Sequence, residues 1–380
     1  MTELRDELWL RSPTGLLQIA GVRVTSFDWA LEDNTFGVLH ATGPLEDAGT
    51  RDALSLDPAL MVADARFEVH RYLNGGDLGM EGDTQFLLRY WTIGEDDQGM
   101  AWWQIEAYSP EYALTGRIID SYASTTGVTN PLTTKTGKAD DVMKAFVREN
   151  IGASTSLAAR KVIELAVDGD LGAGPTTTKS ASYNELLSTL VALADDAEKQ
   201  GTRIVFGMVS SASGGSLAAT GYTFRTWVGQ RGVNHTATSG DPVIVSKGNG
   251  NMAAPEISYD YRQELTAVRS LGRGDGAERA TVRVEDVRRS TASPWAYREG
   301  AADTQAETIE TLMADANAKL NKSVPVKTFS CRMIDTDYAR YGQRVKYGDL
   351  VTAEYQGLSI DCHVAVSGAW GRDGERLNIV

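Results

Sequence analysis

"TQFLLRYWTIGEDDQGMAWWQIEAYS", residues 84–109, reads as two strands rich in aromatic and branched residues, joined across an acidic glycine turn at 94–99. Working outward from it, strand and turn signals alternate through the first third of the chain. "GVRVTSFDWAL" (21–31) and "TFGVLHATG" (35–43) read as paired strands, and "ARFEVHRYLNGGDLG" (65–79) as a strand running into an Asn-Gly turn. Trp91, Trp102 and Trp103 are expected in the core and on sheet faces rather than in a ligand cage, because tryptophan buries a large apolar area wherever sheets pack.

From Leu114 the pattern turns helical. In "ADDVMKAFVRENIG" (139–152), Met143, Val147 and Ile151 recur at i, i+4 and i+8 with Val142 and Phe146 beside them, which predicts an amphipathic helix packed on a sheet. Gly152 stands where a helix stops. Asp140 precedes Lys144 by four residues in the favourable acid-then-base order, and Arg148 shares the face of Lys144. "SYNELLSTLVALADDAEKQG" (182–201) is expected to be a second helix, opened by a Ser182/Glu185 capping box and closed at Gly201. "TRIVFGMV" (202–209) follows as a strand, so the middle of the chain is α+β.

Glycine, serine and threonine crowd 211–221 and 229–251 around the strands "YTFRTWVG" and "PVIVSKG". "EISYDYRQELTAVRSLGRG" (256–274) and "ERATVRVEDVRR" (278–289) read as two long strands joined by the turn "GRGDG". Its Arg-Gly-Asp is what turn chemistry supplies, not an adhesion signal. A helix of about five turns is expected to begin near Asp303, with acids early and lysines late as the helix dipole favours. The last block, from "PVKTFSCRMID" to "ERLNIV", reads as short strands in small-barrel rhythm. The expected organisation is a β-rich α+β chain: a β-barrel-like domain at 1–113, a helical α+β domain at 114–210 with a β-rich continuation at 211–300, and a helix with a second β-barrel-like domain at 301–380.

Composition narrows the function. The chain has 380 residues, 42% of them hydrophobic and 23% charged, which is enough to bury sizeable cores. Its formal charge of −14 argues against a nucleic-acid-binding surface, which needs clustered Lys and Arg to release counterions. It suits solubility, or a surface that repels a passing polyanion. Cys331 and Cys362 lack C-x-x-C spacing and are expected as buried free thiols in neighbouring strands. No basic-then-apolar leader and no membrane-length apolar run is present, so synthesis and assembly in cytoplasm are expected.

Residues able to carry catalysis are sparse. His40, His70, His235 and His363 are scattered and none forms a helical metal pair. "GNGN" (248–251) lacks the lysine and following helix of a phosphate cradle, and the serines at 210–216 have no strand-to-helix elbow. The carboxylate pairs Asp96–Asp97, Asp140–Asp141 and Asp195–Asp196 remain. Adjacent helical residues point about 100° apart, so neither helical pair converges on one atom, and capping and solvation are the expected roles. On that reading Asp140→Ala costs about 1 kcal/mol through a lost cap. A cell-wall hydrolase using Asp96, Asp97 or Glu106 would need two facing carboxyls, one of them buried. A carbohydrate-binding module would need exposed aromatics in a groove. No catalytic, cofactor or metal residue is assigned.

Five stretches occur in an order that carries a resemblance: "FLLRYW…YSPEYALTGRIIDSYA…TGKADDVMKAFVREN", "YTFRTWVGQRGVNH", "VSKGNGNM", "SPWAYRE" and "RYGQRVKYGDLVT". From about Phe86 to the C-terminus the chain resembles the siphophage and prophage tail-tip baseplate hub proteins, similar to the N-terminal part of tail-associated lysins and to the hubs of contractile tails. The positions matched are Asp140, Asp141, Arg148, Asn150, Gly152, Tyr341, Gly342, Gly348 and Asp349. The resemblance implies a structural homotrimer at the tail tip of the virion, not an enzyme and without cofactors. Two similar barrels per chain would form a pseudo-six-fold ring. That ring would meet the distal tail and tail tube proteins above and a central fibre or tape-measure protein below, with DNA passing through without specific binding. Lysin or receptor-binding activity, which relatives carry in long C-terminal extensions, is expected on separate proteins.

Overall fold

The computed structural model describes residues 4–47, 49–73, 76–79, 84–120, 132–155, 157–210, 221–274, 276, 279–304, 308–334, 336–370 and 376–379. The expected Asn74-Gly75 turn, the serine-rich loop at 211–220 and Asp275 of the "GRGDG" turn lie outside the described residues. By internal contacts the chain divides into a larger unit, Met1–Ala254 with Cys331–Val380, and a smaller one, Pro255–Ser330.

The hairpin at 84–109 forms as read: Gln85–Glu95 pairs antiparallel with Ala101–Tyr108. Around it grows a large antiparallel sheet. Ala101–Tyr108 pairs with Val38–Pro44, that strand with Ser26–Leu31, and Ser26–Leu31 with Val366–Trp370. On the other side Gln85–Leu87 pairs with Arg66–Glu68, and Arg66–Leu73 pairs with Leu4–Arg11. The first and last β blocks of the chain therefore share one sheet. Leu8, Leu10, Phe67, Phe86, Leu39, Ile105 and Trp103 fill its buried face. Trp91 is 38% exposed, so of the three tryptophans Trp103 is the core residue.

The middle is α+β as expected. A three-stranded sheet in the order Leu165–Val167, Tyr222–Val228, Ile204–Ser210 packs beneath the helices Ala139–Asn150 and Leu186–Lys199. Met143, Phe146, Val147, Ile151, Leu190 and Phe206 are buried in their shared core. The first helix presents the face the periodicity predicts. The second starts four residues after Ser182, because the Ser182 N–H donates to Asn184 Oδ1 in a local turn that replaces the capping box. The Leu186 N–H is satisfied instead by the Arg117 carbonyl. Gly201, at φ +82°, ends that helix as read. A further sheet joins Asn234–His235, Leu350–Tyr355, Ile244–Ser246 and Leu358–His363.

In the smaller unit, Ala267–Leu271 pairs antiparallel with Thr281–Glu285 and parallel with Glu299–Asp303, under the helix Ile309–Lys322. Three expectations are corrected here. The long strand at 256–274 is broken, because Asp260 turns back to accept the Arg262 N–H and guanidinium. The strand at 278–289 stops at Glu285, because Asp286 caps a short helix, Val287–Ser290. The helix expected from Asp303 starts at Ile309 behind the Thr308 cap, since Glu299–Asp303 is taken up by the sheet.

Cys331 and Cys362 are free and buried as expected, although their strands belong to different sheets. Burial, with the neighbouring Cys362, pushes the Cys331 thiol up to about 11.

Gly43 faces Trp103 in the register, and a Cβ there would lie 2.4 Å from the indole and 2.6 Å from the Arg23 carbonyl. Gly43→Ala is expected to destabilise the larger unit by about 1–3 kcal/mol, read as a lower denaturation midpoint.

Candidate functional site

Three of the ordered stretches meet at one arginine. Arg231, in the loop after the strand Tyr222–Val228, lies between two aromatic rings, 4.2 Å from the Trp227 centroid and 4.5 Å from that of Tyr347. Such close contact with two ring faces suits a weakly hydrated guanidinium. Two glycines make room for it: a Cβ on Gly348 would lie 2.8 Å from the Arg231 stem, and one on Gly207 would lie 2.9 Å from Nη1. Only glycine fits easily at 348, where φ is +82°.

Beside Arg231 lies Glu111, in the single-turn helix Pro110–Leu114. Its Oε1 accepts the Met208 N–H at 2.5 Å, and Oε2 accepts the Ser109 hydroxyl at 2.6 Å. The Ser109 oxygen in turn accepts the Gly37 N–H at 2.8 Å. Burial holds the Glu111 carboxyl above its ordinary value against these donors and the Arg231 charge. Asn34 completes the work of Glu111 on the strand Ile204–Ser210. Its Oδ1 accepts from Phe206 N and its Nδ2 donates to Ile204 O, both at 2.9 Å. Side chains thus take the place of a neighbouring strand along this edge.

Asp349 is the second anchor. Oδ1 accepts the Val233 N–H at 2.6 Å and Oδ2 the Lys346 N–H at 2.7 Å, while His235 Nε2 stands 3.9 Å away. Burial raises this carboxyl too. A Cβ on Gly232 would fall 2.2 Å from Asp349 Oδ1, so the glycine of "QRG" is the space the aspartate needs. Tyr347 also donates to Asp33 at 2.7 Å, and Asp33 pairs with Arg203 at 2.7 Å. Tyr341 is buried with Arg71 over its ring, and Gly342, at φ +84°, turns the chain so that its N–H reaches the Val345 carbonyl.

Asp140 is not a helix cap. The Ala139 N–H is taken by the Pro175 carbonyl, the N-cap position is Lys138, and Asp140 is fully buried. Its carboxylate accepts the Leu171 and Ala173 N–H groups at 3.1 and 2.9 Å and pairs with Lys144 at 3.3 Å. Lys144 is buried too and donates to the Gly169 carbonyl at 2.7 Å. Asp141 accepts the Gly172 N–H and Arg148 pairs with Asp170, so this helix face clasps the loop 169–173. Asn150 is buried, donating to the Phe146 carbonyl and accepting from Asp120 N. Gly152 follows the helix end and lies against the Arg148 backbone, which a Cβ would approach to 2.9 Å.

Two of the three carboxylates weighed for hydrolysis, Asp96 and Glu106, do other work. Asp96 Oδ1 accepts the Gln98 and Met100 N–H groups, shaping the hairpin turn. Glu106 accepts from Tyr108 and pushes that phenol up to about 12. Among the described residues no group of three His, Cys, Asp or Glu side chains is arranged to hold a metal ion.

Compared with known families, residues 74–380 match the siphovirus family described as "ReqiPepy6 Gp37-like protein". The chain belongs to that family. A comparison with proteins of curated function returned no match. Among solved structures, the fold is similar to the 43 kDa tail protein of prophage MuSo2 from Shewanella oneidensis. Identity there is 13%, the TM-score is 0.59, and 99% of this chain and 98% of that chain are covered. A tail protein from Neisseria meningitidis MC58 is similar at 11% identity and a TM-score of 0.53, covering 98% and 96%. The chain is a β-rich member of a siphovirus family with the fold of prophage tail proteins.

Asp140→Ala is expected to cost about 3–5 kcal/mol, not the 1 kcal/mol of a lost cap, because it strands the buried Lys144 charge. Urea denaturation of the variant measures it. For Glu111, a raised folded-state value means the folded protein keeps a proton that the unfolded chain loses above about 4.5, so stability falls as pH rises through that window. Glu111→Gln is expected to narrow the gap between melting temperatures at about pH 5 and about pH 7.

Proposed function

We propose that this protein is a non-enzymatic virion component, the trimeric hub at the distal end of a siphophage tail or a phage-derived particle. Membership of the siphovirus family over residues 74–380 is the observation that carries the reading. In this role, two barrel-like domains per chain contribute to a pseudo-six-fold ring. The ring joins the distal tail and tail tube proteins to a central fibre or tape-measure protein, and an acidic lining lets DNA pass without sticking. The chain is assembled in the host cytoplasm and resides at the tail tip.

The buried polar groups support a load-transmitting part over a catalyst. Glu111, Asp349 and Asp140 are each aimed at backbone N–H groups of a neighbouring segment. Among the described residues no helix is long and apolar enough to cross a membrane.

Mass photometry of the purified chain is expected to give a trimer, and electron microscopy of tagged particles to place it at the tail tip. Zymography on peptidoglycan is expected to give no band. A monomer missing from the tip, or a clearing band lost on Glu106→Gln, would overturn the reading.

A further inference from the structure

The smaller unit holds a polar hollow with two aromatic rings in its wall. Ser258, Tyr259, Asp260, Tyr261, Arg262 and Arg298 line a space of about 510 Å³, within the range that holds small ligands. Tyr259 and Tyr261 are 50% and 54% exposed, and neither belongs to the apolar core of the unit, which gathers around Val268, Ala316 and Leu320. Two phenols left half open in one place offer a surface to a ligand with an apolar side of its own.

The polar groups of the hollow are held in place by the fold. The Asp260 carboxylate accepts Arg262 Nε at 2.9 Å, Nη2 at 2.6 Å and the Arg262 N–H at 2.8 Å, contacts that hold this carboxyl at about 2 and keep it ionised. Arg298 is tied at two points: its N–H donates to Thr266 Oγ1 at 2.8 Å, and its Nη1 to the Tyr261 carbonyl at 3.1 Å. Asp260 and Arg262 cancel each other's charge. Arg298 has no carboxylate partner among the described residues, and neither has Lys327, whose ammonium stands 5.5 Å from the centre of the Tyr259 ring. The hollow is therefore locally cationic, although the chain carries −14.

These groups select a ligand class. An apolar partner would strip water from the Asp260–Arg262 pair and return nothing for it. A polyphosphate such as a nucleic acid would meet Arg298, but also a carboxylate that stays ionised in the same wall. A sugar ring suits both kinds of group. Its C–H face can lie on the phenol rings, whose faces carry partial negative charge, while its hydroxyls donate to Asp260 and accept from Arg262. The charge on Arg298 is then matched by an acidic substituent, and the guanidinium fork fits a carboxylate.

We propose that this hollow binds a saccharide bearing a carboxylate, with sugar rings on Tyr259 and Tyr261, hydroxyls on Asp260 and Arg262, and the carboxylate on Arg298. Such a site goes beyond the hub role and is independent of the oligomeric state.

The test is a microarray of uronate-bearing, neutral and phosphorylated oligosaccharides, with spots of single-stranded DNA, probed with the labelled full chain. Circular dichroism confirms that each variant folds. Signal is expected on the uronate-bearing oligosaccharides and about tenfold less on their methyl esters, the worth of one charged hydrogen bond. Y259A/Y261A is expected to abolish it, R298Q to lower it to the level of the esters, and R298K to restore part of it. W295A, which removes an exposed ring outside the hollow, is expected to leave it unchanged. No signal, equal signal on the esters, or a preference for phosphorylated sugars or DNA overturns the proposal. So do folded Y259A/Y261A or R298Q variants that bind as the wild type does, or a loss in W295A that matches theirs.

Discussion

The stacking of Arg231 between Trp227 and Tyr347 is the contact on which the larger unit turns. A guanidinium held between two rings keeps its charge without a full water shell, and it does so next to a buried carboxyl at Glu111. Around it the chain makes room with glycine at 207 and 348, the latter in a left-handed turn, and with Gly232 against the neighbouring Asp349. Through Tyr347 and Asp33 the contact reaches the turn after the strand Ser26–Leu31, and through Asp349 it fixes the start of the sheet that contains Leu350–Tyr355. Stretches separated by more than a hundred residues in sequence are in this way held by one cation and its surroundings.

Local patterns were legible and long-range partners were not. Alternation and turn chemistry marked the hairpins at 26–44, 85–108 and 350–363, and the apolar spacing marked the helix 139–150 to within two residues of its end. Where the reading failed, a tertiary contact had displaced a local one. Helix starts at 139 and 186 take their N–H partners from the Pro175 and Arg117 carbonyls, so neither aspartate nor serine is needed as a cap. Asp140 and Lys144 carry the favourable spacing of an exposed pair, and nothing in that spacing tells that both are buried. The order of motifs pointed to the right family, yet the chemistry that unites them, a cation–aromatic stack with two buried carboxylates, leaves only glycines in "QRG" and "YGD" as its trace.

Buried ion pairs such as Asp140–Lys144 are a poor source of net stability, since desolvation offsets most of the attraction. What they provide here is definition. A carboxylate that must satisfy Leu171 N, Ala173 N and a buried ammonium together has one position available, and the loop 169–173 has one conformation with it. The same holds for Asn34 and Glu111 along the edge of Ile204–Ser210, where a sheet edge that would otherwise accept any strand is closed by side chains.

The pairing of Ser26–Leu31 with Val366–Trp370 also sets a clock. At a synthesis rate of ~5–20 residues per second, roughly 20–70 s separate the emergence of the two strands from the ribosome. For that interval Phe27 and Trp29 belong to a sheet lacking one of its neighbours, and Gly368, whose position against the Trp29 indole admits no Cβ, has yet to arrive. The sheet of the nascent chain therefore stays incomplete at this edge until almost all of the chain has been made.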